Sequence, residues 1–501
     1  MTSFKRNVLA NYIGRSWSAL LGLLLIPIYI KFMGVETYGL VGFFTTLSSV
    51  LGILDLGIGA TMNRELAKRS VTHDLVGTQR DLVRTLEIIY WGIAILVGAI
   101  AMIGAPFIAN TWIKAEEVNS GSILRAVQLM GISIAFQFPM TLYQGGLMGK
   151  QKQMLVNIIL IIIGTIRGGG AILVLWLIAP TIQAFFAWQV VISIVGSVTF
   201  FIAIWSILPK SAEPAKFKIN IISGIWKYAA AISANATIGV IMSQLDKIIL
   251  SKMLSLKMFA YYTIASTVAS SIWMVIIPFN TALFPSLVQL HENDNYEELK
   301  KLFHNSSQIL SFILLPISAV LIFFSRDILI IWIHDPVVSQ NAYLIMSLLV
   351  TGIMLNGLVS LPANCAPAFG WPLLITYTNF IQAIFIIPVT IILVNWLNGI
   401  GAAIAWIILN STYIIFMVPL FFRRFLKEER QMWYLQDILA PALAAFFVCF
   451  VFRVSAPELN SMICSVAWIV LTGIMSLIIT GLILPHVRSI VLDKWRFLLR
   501  S

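Results

Sequence analysis

Fourteen long apolar stretches follow one another almost from end to end of this 501-residue chain, and the connections between them are short. The hydrocarbon core of a bilayer is about 30 Å thick and takes roughly 20 apolar residues of helix to cross. The chain supplies that length repeatedly and leaves only short peptides on either side. We therefore predict an all-α polytopic membrane protein with fourteen transmembrane helices.

In chain order, the predicted spans are residues 8–30, 38–62, 86–110, 122–146, 153–177, 182–207, 222–248, 259–285, 308–332, 342–362, 372–394, 399–421, 434–452 and 462–484. The composition agrees, because hydrophobic residues make up 59% of the chain and charged residues only 11%, against about 25% charged in a soluble domain. The net charge of +12 could suggest a nucleic-acid partner. None is predicted, since the basic residues lie at span ends rather than in one patch.

Basic residues are divided unequally between the two sides of this map. With the N-terminus in the cytoplasm, 23 Lys and Arg residues fall on the cytoplasmic side and eight on the other. The eight are Lys31, Lys114, Arg125, Lys247, Lys252, Lys257, Arg326 and Arg453. Cytoplasmic loops of membrane proteins carry an excess of Lys and Arg, so we predict cytoplasmic N- and C-termini and an even number of spans.

Two connections have distinctive compositions. The segment HENDNYEELKKLFHN at 291–305 is predicted to form a short surface helix of mixed charge. The segment PANCAPAFG at 362–370 is predicted to be a turn, and it carries no basic residue that could support its side of the membrane.

A weak internal repeat predicts two parallel six-helix lobes followed by two C-terminal helices. Residues 33–40 (MGVETYGL) and 254–261 (LSLKMFAY) each join the first two spans of a six-span block, although two short turns can also match by chance. Transporters built from parallel repeats place the substrate site at the repeat interface. We predict an N-lobe at 1–208 (spans 1–6), a C-lobe at 209–425 (spans 7–12), and spans 13 and 14 with a cytoplasmic tail at 426–501.

Arg167 lies near the centre of span 5 and is followed by Gly168, Gly169 and Gly170. A charge at this depth costs at least roughly 2.5–3.5 kcal/mol and usually faces a polar cavity or a partner. Glycines cost about 1 kcal/mol each in a helix relative to alanine, and they permit a bend or the close approach of another backbone. The arginine is therefore either a cationic site facing a hydrated cavity or a side chain that satisfies free carbonyls at a glycine kink.

Arg15 in span 1 and Asp55 in span 2 lie at similar depths, roughly 6–8 Å to the cytoplasmic side of the centre at 1.5 Å per residue. They can pair as a structural ion pair. Alternatively, Arg15 contacts a phosphate and Asp55 is a protonatable coupling group, since a carboxylate that trades between an arginine and water changes protonation. Glu87, at the mouth of span 3, is interpreted as a side chain that reaches the interface.

Span 11 carries the polar residues Asn379 and Gln382. Such side chains most often form hydrogen bonds between helices. Sugar hydroxyls need the same donors and acceptors, so both interpretations stay open.

Motifs for enzymatic chemistry are missing from the sequence. It contains no P-loop or other nucleotide motif, no metal-ligand spacing of His and Glu, and only three cysteines without a CxxC pair. We therefore predict no catalytic residues, no metal and no cofactor.

Four segments resemble a known family: Asn7 to Asn11, IPIYIKFMGVETYGL at 26–40, ILDLGIGATMNRELAK at 53–68, and LDKIILSKMLSLKMFAYYTIAS at 245–266. They resemble the polysaccharide transporter family of Wzx-type O-antigen flippases, within the MOP superfamily that also holds MATE exporters and lipid II flippases. In two places the chain departs from the family pattern, at Met33-Gly34 and at Phe259-Ala260.

This resemblance implies a substrate, an undecaprenyl-diphosphate-linked oligosaccharide, moved by alternating access to the outer leaflet of a bacterial inner membrane, with coupling to an ion gradient. Basic side chains hold diphosphates well, so we expect Arg15 and Arg167 in that role. Asn379 and Gln382 are expected at the sugars, and Asp55 in coupling. Membrane lipid and the polysaccharide polymerase machinery are the further partners that it implies.

Two other functions are open to the same fold. A MATE-like exporter of organic cations needs acidic residues in its cleft, and two deep arginines against one aspartate argue against it. A membrane-embedded glycan polymerase or glycosyltransferase needs a sizeable exported loop or an acidic catalytic pair, and the sequence shows neither. We therefore predict a transport protein and not an enzyme.

Overall fold

The computed structural model describes residues 17, 20–71, 78–211, 213–457 and 461–489. Every regular element in these residues is a helix, and one isolated β-bridge joins Lys114 and Ser255. The chain divides into two compact units, Met1–Ala260 and Tyr261–Ser501. The three segments predicted from the repeat stay a prediction.

The first unit is an assembly of long helices around one central helix. In chain order the helices are α1 (Leu20–Met33), α2 (Val35–Leu51), α3 (Ile58–Val71), α4 (Gln79–Phe107), α5 (Ser120–Gly149), α6 (Gln153–Leu177), α7 (Ile182–Ile207), α8 (Ile219–Met253) and the beginning of α9 (Leu256–Ser270). Helix α5 is central, because α3, α4 and α7 all pack against it. Its buried side chains, among them Leu142, Tyr143 and Leu147, belong to the apolar core of this unit.

The second unit contains the remaining helices. In chain order they are α10 (Trp273–Glu292), α11 (Tyr296–Phe323), α12 (Ser325–Ile333), α13 (Pro336–Ala368), α14 (Leu373–Leu397), α15 (Gly399–Thr412), α16 (Val418–Arg424), α17 (Arg430–Met432), α18 (Ala440–Val454) and α19 (Met462–Ile483). Helices α11 and α13 pack against each other and against several neighbours. Phe303, Phe421, Phe422 and Trp433 fill part of the core.

Twelve helices in the described part of the chain are long and apolar enough to cross a membrane, and each overlaps a predicted span. This confirms the prediction of an all-α polytopic membrane protein. Predicted span 1 overlaps α1, which is a shorter apolar helix. Predicted span 7 overlaps α8, a 35-residue helix that is not among the twelve. The number fourteen therefore stays a prediction.

The surface helix predicted at 291–305 is wrong. Residues 296–305 form the first turns of the 28-residue helix α11, with no break between them and the apolar part. Leu299, Phe303 and His304 are buried. The stretch is charged on one side only, and its other side packs as core.

The turn predicted at 362–370 is also shorter than expected. Helix α13 continues through Pro362 and Pro367, and Cys365 is fully buried within it. The chain changes direction only after the helix, where Gly370 has the left-handed φ of 78° that favours glycine.

Three segments have π-helical turns, namely Ile108–Trp112 after α4, Tyr413–Met417 between α15 and α16, and Trp433–Leu439 between α17 and α18. Such turns are rare and frequently lie at functional sites. The last of them contains Asp437, whose side chain is fully buried.

Candidate functional site

Arg167 lies in the middle of α6, in the first unit. Its Nε and Nη2 atoms are buried and have no hydrogen-bond partner among the described residues. Its main-chain carbonyl accepts a hydrogen bond from Nε1 of Trp188 at 3.2 Å, so the backbone is tied to α7 while the guanidinium is not. Leaving a buried charged group without a partner is costly. Helix α6 therefore holds a partly buried guanidinium whose Nε and Nη2 atoms are unpaired among the described residues.

The glycines that follow Arg167 serve close packing rather than a bend. Helix α6 is unbroken from Gln153 to Leu177. A Cβ on Gly168 would lie 2.3 Å from Cδ1 of Leu25 in α1, and one on Gly170 would lie 2.3 Å from the ring of Trp188 in α7. The kink that would offer free carbonyls to the arginine is therefore absent from this helix.

Asp55 lies at a break in the second predicted span. Helix α2 ends at Leu51, one 3₁₀ turn follows, and Leu56 and Gly57 have left-handed backbone angles (φ 49° and 64°) before α3 begins. Left-handed conformations at residues other than glycine cost of order 1–3 kcal/mol and cluster at functional sites. The break leaves main-chain N–H groups beside the carboxylate.

The carboxylate of Asp55 is bound from two directions. The hydroxyl of Tyr90, a fully buried residue of α4, donates a hydrogen bond to it. The backbone amides of Gly57 and Gly59 also interact with it. Arg15, the predicted partner, lies outside the described residues, so the Arg15–Asp55 pair stays a prediction.

Glu87 is a second buried acid in the first unit. It is 3% exposed, and its carboxylate accepts hydrogen bonds from the hydroxyl of Tyr143 at 2.6 Å and from Nη1 of Arg84 at 2.9 Å. It borders a cavity of about 220 Å³. The rest of the lining is Trp91, Phe136, Tyr143, Ser197, Val198 and Phe201. The interpretation of Glu87 as a side chain that reaches the interface is therefore wrong, since Tyr143 and Arg84 satisfy it inside the unit.

Asn379 and Gln382 lie in α14 of the second unit and bond to the end of α15. Oδ1 of Asn379 accepts a hydrogen bond from the hydroxyl of Tyr413 at 2.5 Å, and Nε2 of Gln382 donates one to Oγ1 of Thr412 at 2.7 Å. These bonds match the helix-packing interpretation. Oε1 of Gln382 is buried and has no partner among the described residues.

A cluster of contacts that the sequence analysis missed joins the two turns of the repeat, within the first unit. The carboxylate of Glu36, 1% exposed, accepts hydrogen bonds from the backbone N–H groups of Glu116 (2.6 Å) and Glu117 (2.7 Å). Nζ of Lys257 lies 2.9 Å from the carboxylate of Glu117. We name the cluster the turn junction; its residues are Glu36, Lys114, Glu116, Glu117, Leu256 and Lys257.

Backbone contacts complete the turn junction. The N–H of Leu256 donates to the carbonyl of Lys114 at 2.7 Å. A Cβ on Gly39 would lie 2.6 Å from the carbonyl oxygen of Leu256, so only glycine allows this approach. The signal for the junction was present in the repeat itself, because Glu36 and Gly39 belong to MGVETYGL and Leu256 belongs to LSLKMFAY.

A second missed cluster lies in the second unit, where His304 contacts the carboxylates of Glu429 and Asp437. Asp437 stands within an apolar run, and an acid in such a run is an indication of function. His304 was hidden by the expectation of a surface helix.

Long apolar helices that carry buried charges at mid-helix are the architecture of a polytopic membrane transporter. The family model described as "Polysaccharide biosynthesis protein" matches residues 4–291, more than half of the chain, and the MatE model matches residues 231–392. The chain belongs to the polysaccharide biosynthesis protein family. The resemblance found in the sequence is thereby confirmed.

Known proteins agree with this assignment. A protein of Shigella flexneri named "Putative O-antigen transporter" is 21% identical over 413 residues, which cover 81% of this chain and 94% of that protein. Its name is that of a transport protein and not of an enzyme, in agreement with the prediction.

Two solved structures have the same fold. The lipid II flippase MurJ in an inward closed conformation has a TM-score of 0.68 at 16% identity, covering 97% of this chain and 100% of that one. An inward-facing MATE family multidrug resistance transporter of the MOP superfamily has a TM-score of 0.67 at 13% identity, covering 81% of this chain and 94% of that one. At these identities the two likenesses show that this chain shares their fold.

Proposed function

We propose that this protein is a flippase that moves an undecaprenyl-diphosphate-linked oligosaccharide, the repeat unit of O-antigen or a related surface polysaccharide, from the cytoplasmic to the outer leaflet of a bacterial inner membrane. The family and the name of the Shigella relative support this class of substrate. A sugar head with a diphosphate cannot cross hydrocarbon unaided, because each unpaired polar group costs several kcal/mol. Fixed polar groups along a hydrated passage remove that cost.

The observation that carries the proposal is which charged side chains of the first unit have hydrogen-bond partners. Asp55 is bound by Tyr90, and Glu87 by Arg84 and Tyr143, so both acids are already satisfied. The guanidinium of Arg167 has no such partner among the described residues. An uncompensated buried cation attracts an anionic ligand, and guanidinium binds phosphate in bidentate geometry. The same balance disfavours the alternative, an exporter of organic cations, which needs a free carboxylate.

Substitution of Arg167 tests the proposal. We expect Arg167→Ala to abolish glycan display in a flippase-null strain while lipid-linked oligosaccharide accumulates in the cytoplasmic leaflet. Arg167→Lys should retain part of the activity, because the charge is kept and the bidentate geometry is lost.

Arg125→Ala is the matched control, since Arg125 is an exposed arginine of α5 in the same unit. It should leave display unchanged at equal protein level. Full display by Arg167→Ala at normal protein level would overturn the role of Arg167. Normal display together with normal leaflet distribution on deletion of the protein would overturn the function itself.

Three further residues are proposed to contact the substrate. Arg15 adds a second cation for the diphosphate, and Asn379 and Gln382 bind sugar hydroxyls, with the free acceptor of Gln382 as support. Asp55 is the proposed coupling group, because it is a carboxylate that accepts hydrogen bonds from Tyr90 and from the amides at the helix break. If Asp55→Asn transports with the wild-type dependence on pH, Asp55 does not couple transport to protons.

Alternating access is the proposed mechanism, and the turn junction is its proposed gate on the exported side. By the repeat, Glu36 and Glu117 belong to the N-lobe and Leu256 and Lys257 to the C-lobe. Opening toward the exported side then requires the contact between Lys257 and Glu117, 2.9 Å long, to break.

A disulfide across the gate tests this mechanism. In a Cys464→Ser background, the pair Lys114→Cys and Ser255→Cys, whose backbones are joined by the β-bridge, should cross-link on oxidation and stop transport, and reduction should restore it. The control pair is Ser133→Cys and Ser193→Cys, whose oxygens lie 2.9 Å apart on α5 and α7 within one predicted lobe. Undiminished transport by a fully cross-linked gate would rule out its opening. Cytoplasmic termini and association with a polysaccharide polymerase stay predictions.

A further inference from the structure

His304 is held between two carboxylates in the second unit. It lies near the start of α11 and is 6% exposed. Its Nδ1 lies 2.5 Å from Oδ2 of Asp437, and its Nε2 lies 3.1 Å from Oε2 of Glu429. Asp437 is fully buried, whereas the side chain of Glu429 is 17% exposed and forms the outer side of the cluster.

The orientation of a neighbouring amide assigns the hydrogen bonds. Oε1 of Gln308 accepts from the backbone N–H of His486 at 2.9 Å, so the other end of this amide must be its NH₂ group. That group donates to Oδ1 of Asp437 at 2.9 Å. Oδ1 of Asp437 is therefore an acceptor, and a proton must lie between its Oδ2 and Nδ1 of His304.

The contacts of His304 determine how many protons the cluster holds. A neutral imidazole has one N–H group, and its other nitrogen carries a lone pair. Both ring nitrogens of His304 face carboxylate oxygens, so a neutral ring would direct a lone pair at one of them. All contacts are satisfied only when the group of three holds one additional proton, shared between the ring of His304 and a carboxylate.

We propose that His304, Glu429 and Asp437 form a proton-binding site that fastens the segment 429–439 to α11. The remaining charged neighbour among the described residues is Lys300, whose Nζ lies 3.5 Å from both Glu429 and Glu297. This lysine contacts Glu429 on the partly exposed side of the cluster, where the proton enters and leaves. Burial of Asp437 excludes water as a substitute donor on the inner side.

The site controls how the last two long helices are attached. The segment 429–439 leads directly into α18, and α18 and α19 both pack against α11. Nε1 of Trp433 also donates to Oγ of Ser307 at 3.1 Å, so the same segment has one attachment that does not titrate. With the proton bound, His304 and the other attachments hold the segment; when it leaves as the pH rises, the attachment through His304 is lost.

Hydrogen exchange of the purified full-length protein measures this attachment directly. Backbone amides in 430–440 should be protected at pH 5.5 and lose protection by at least about tenfold as the pH rises to 8.5, after correction for intrinsic exchange. His304→Ala should have low protection at every pH. His334→Gln, a change at a histidine outside the cluster, should reproduce the wild-type curve.

The deciding variant is Asp437→Asn. An asparagine keeps an acceptor for Gln308 and presents an NH₂ donor to Nδ1 of a neutral His304, so the contact no longer needs an extra proton. Protection in this variant should be high and independent of pH. A flat wild-type curve, or an Asp437→Asn curve that still falls as the pH rises, would overturn the proposal. Because no substrate enters the measurement, its outcome is independent of the proposed transport function.

Discussion

The hydroxyl of Tyr90 donates a hydrogen bond to the carboxylate of Asp55, at the break between α2 and α3. Tyr90 lies one helical turn beyond Glu87 in α4, so the partly buried Asp55 and the buried Glu87 depend on the same helix. A movement of α4 relative to the break would release Asp55. Helix α4 is therefore the element through which a change in Asp55 is transmitted to the unit.

Removing the hydroxyl tests this dependence. Tyr90→Phe leaves a buried carboxylate without its side-chain donor, so we expect a loss of about 1–3 kcal/mol in stability. Thermal unfolding in detergent measures it. Adding Asp55→Asn should recover part of the loss, because the amide is cheaper to bury than the carboxylate. Tyr296→Phe, at an exposed tyrosine, is the control; equal effects of the two phenylalanines would show that the Tyr90–Asp55 bond adds nothing.

Two adjacent glycines in α6 should respond in opposite ways to alanine. A methyl group on Gly170 meets the ring of Trp188 at 2.3 Å, so Gly170→Ala should destabilise by about 1–3 kcal/mol through overpacking. Gly169 has nothing within 4 Å, so Gly169→Ala should stabilise by about 0.5–1 kcal/mol through backbone entropy. Unfolding temperatures of the two variants decide the matter, and a common direction of change would contradict the packing around α6.

The turn junction should depend on its buried carboxylate more than on its exposed ion pair. Glu36→Ala leaves two backbone N–H groups without an acceptor, at about 1–3 kcal/mol for an unsatisfied buried group. Glu117→Ala removes only an exposed ion pair worth about 0–1 kcal/mol. In a protein with Leu256→Cys as the reporter, Glu36→Ala should raise the rate of maleimide labelling severalfold and Glu117→Ala should barely change it. The reverse order would show that the ion pair holds the junction.

The orientation of the chain can be measured with two equally exposed positions. The side chains of Glu117 and Lys216 are 64% and 63% exposed. In a Cys464→Ser background, a cysteine at Glu117 should react with an impermeant maleimide in intact cells, and one at Lys216 only after permeabilisation. The opposite pattern would invert the predicted topology.

Helices were predictable from the sequence wherever the length of an apolar stretch is enough to define the helix. Span 5 was predicted at 153–177, and α6 occupies those residues. The prediction succeeds because no sequence signal at either end favours another element. The prediction was wrong at residues 296–305 and at Pro362, because charged residues and prolines usually mark the connections between helices. In both places the buried face of a longer helix outweighs the local signal, and that face is visible only once its neighbours are known.

The site was predictable in its residues but not in its contacts. Depth in a span singled out Arg167 and Asp55, because the cost of a charge in hydrocarbon depends on position along the chain. The partners of these charges depend on which helices are adjacent, so Tyr90 could not be foreseen. His304 and Asp437 are 133 residues apart, and neither has a local pattern that points to the other.

Pro441 begins the α18 region four residues after Asp437. The ring of a proline within a helix collides with the carbonyl of the residue four positions earlier, which here is Asp437 itself. The widened turns of Trp433–Leu439 make room for that ring. Pro441 thus determines the direction in which the side chain of Asp437 points. Without this proline the segment is free to form regular α-helical turns, which would rotate the carboxylate away from the imidazole of His304.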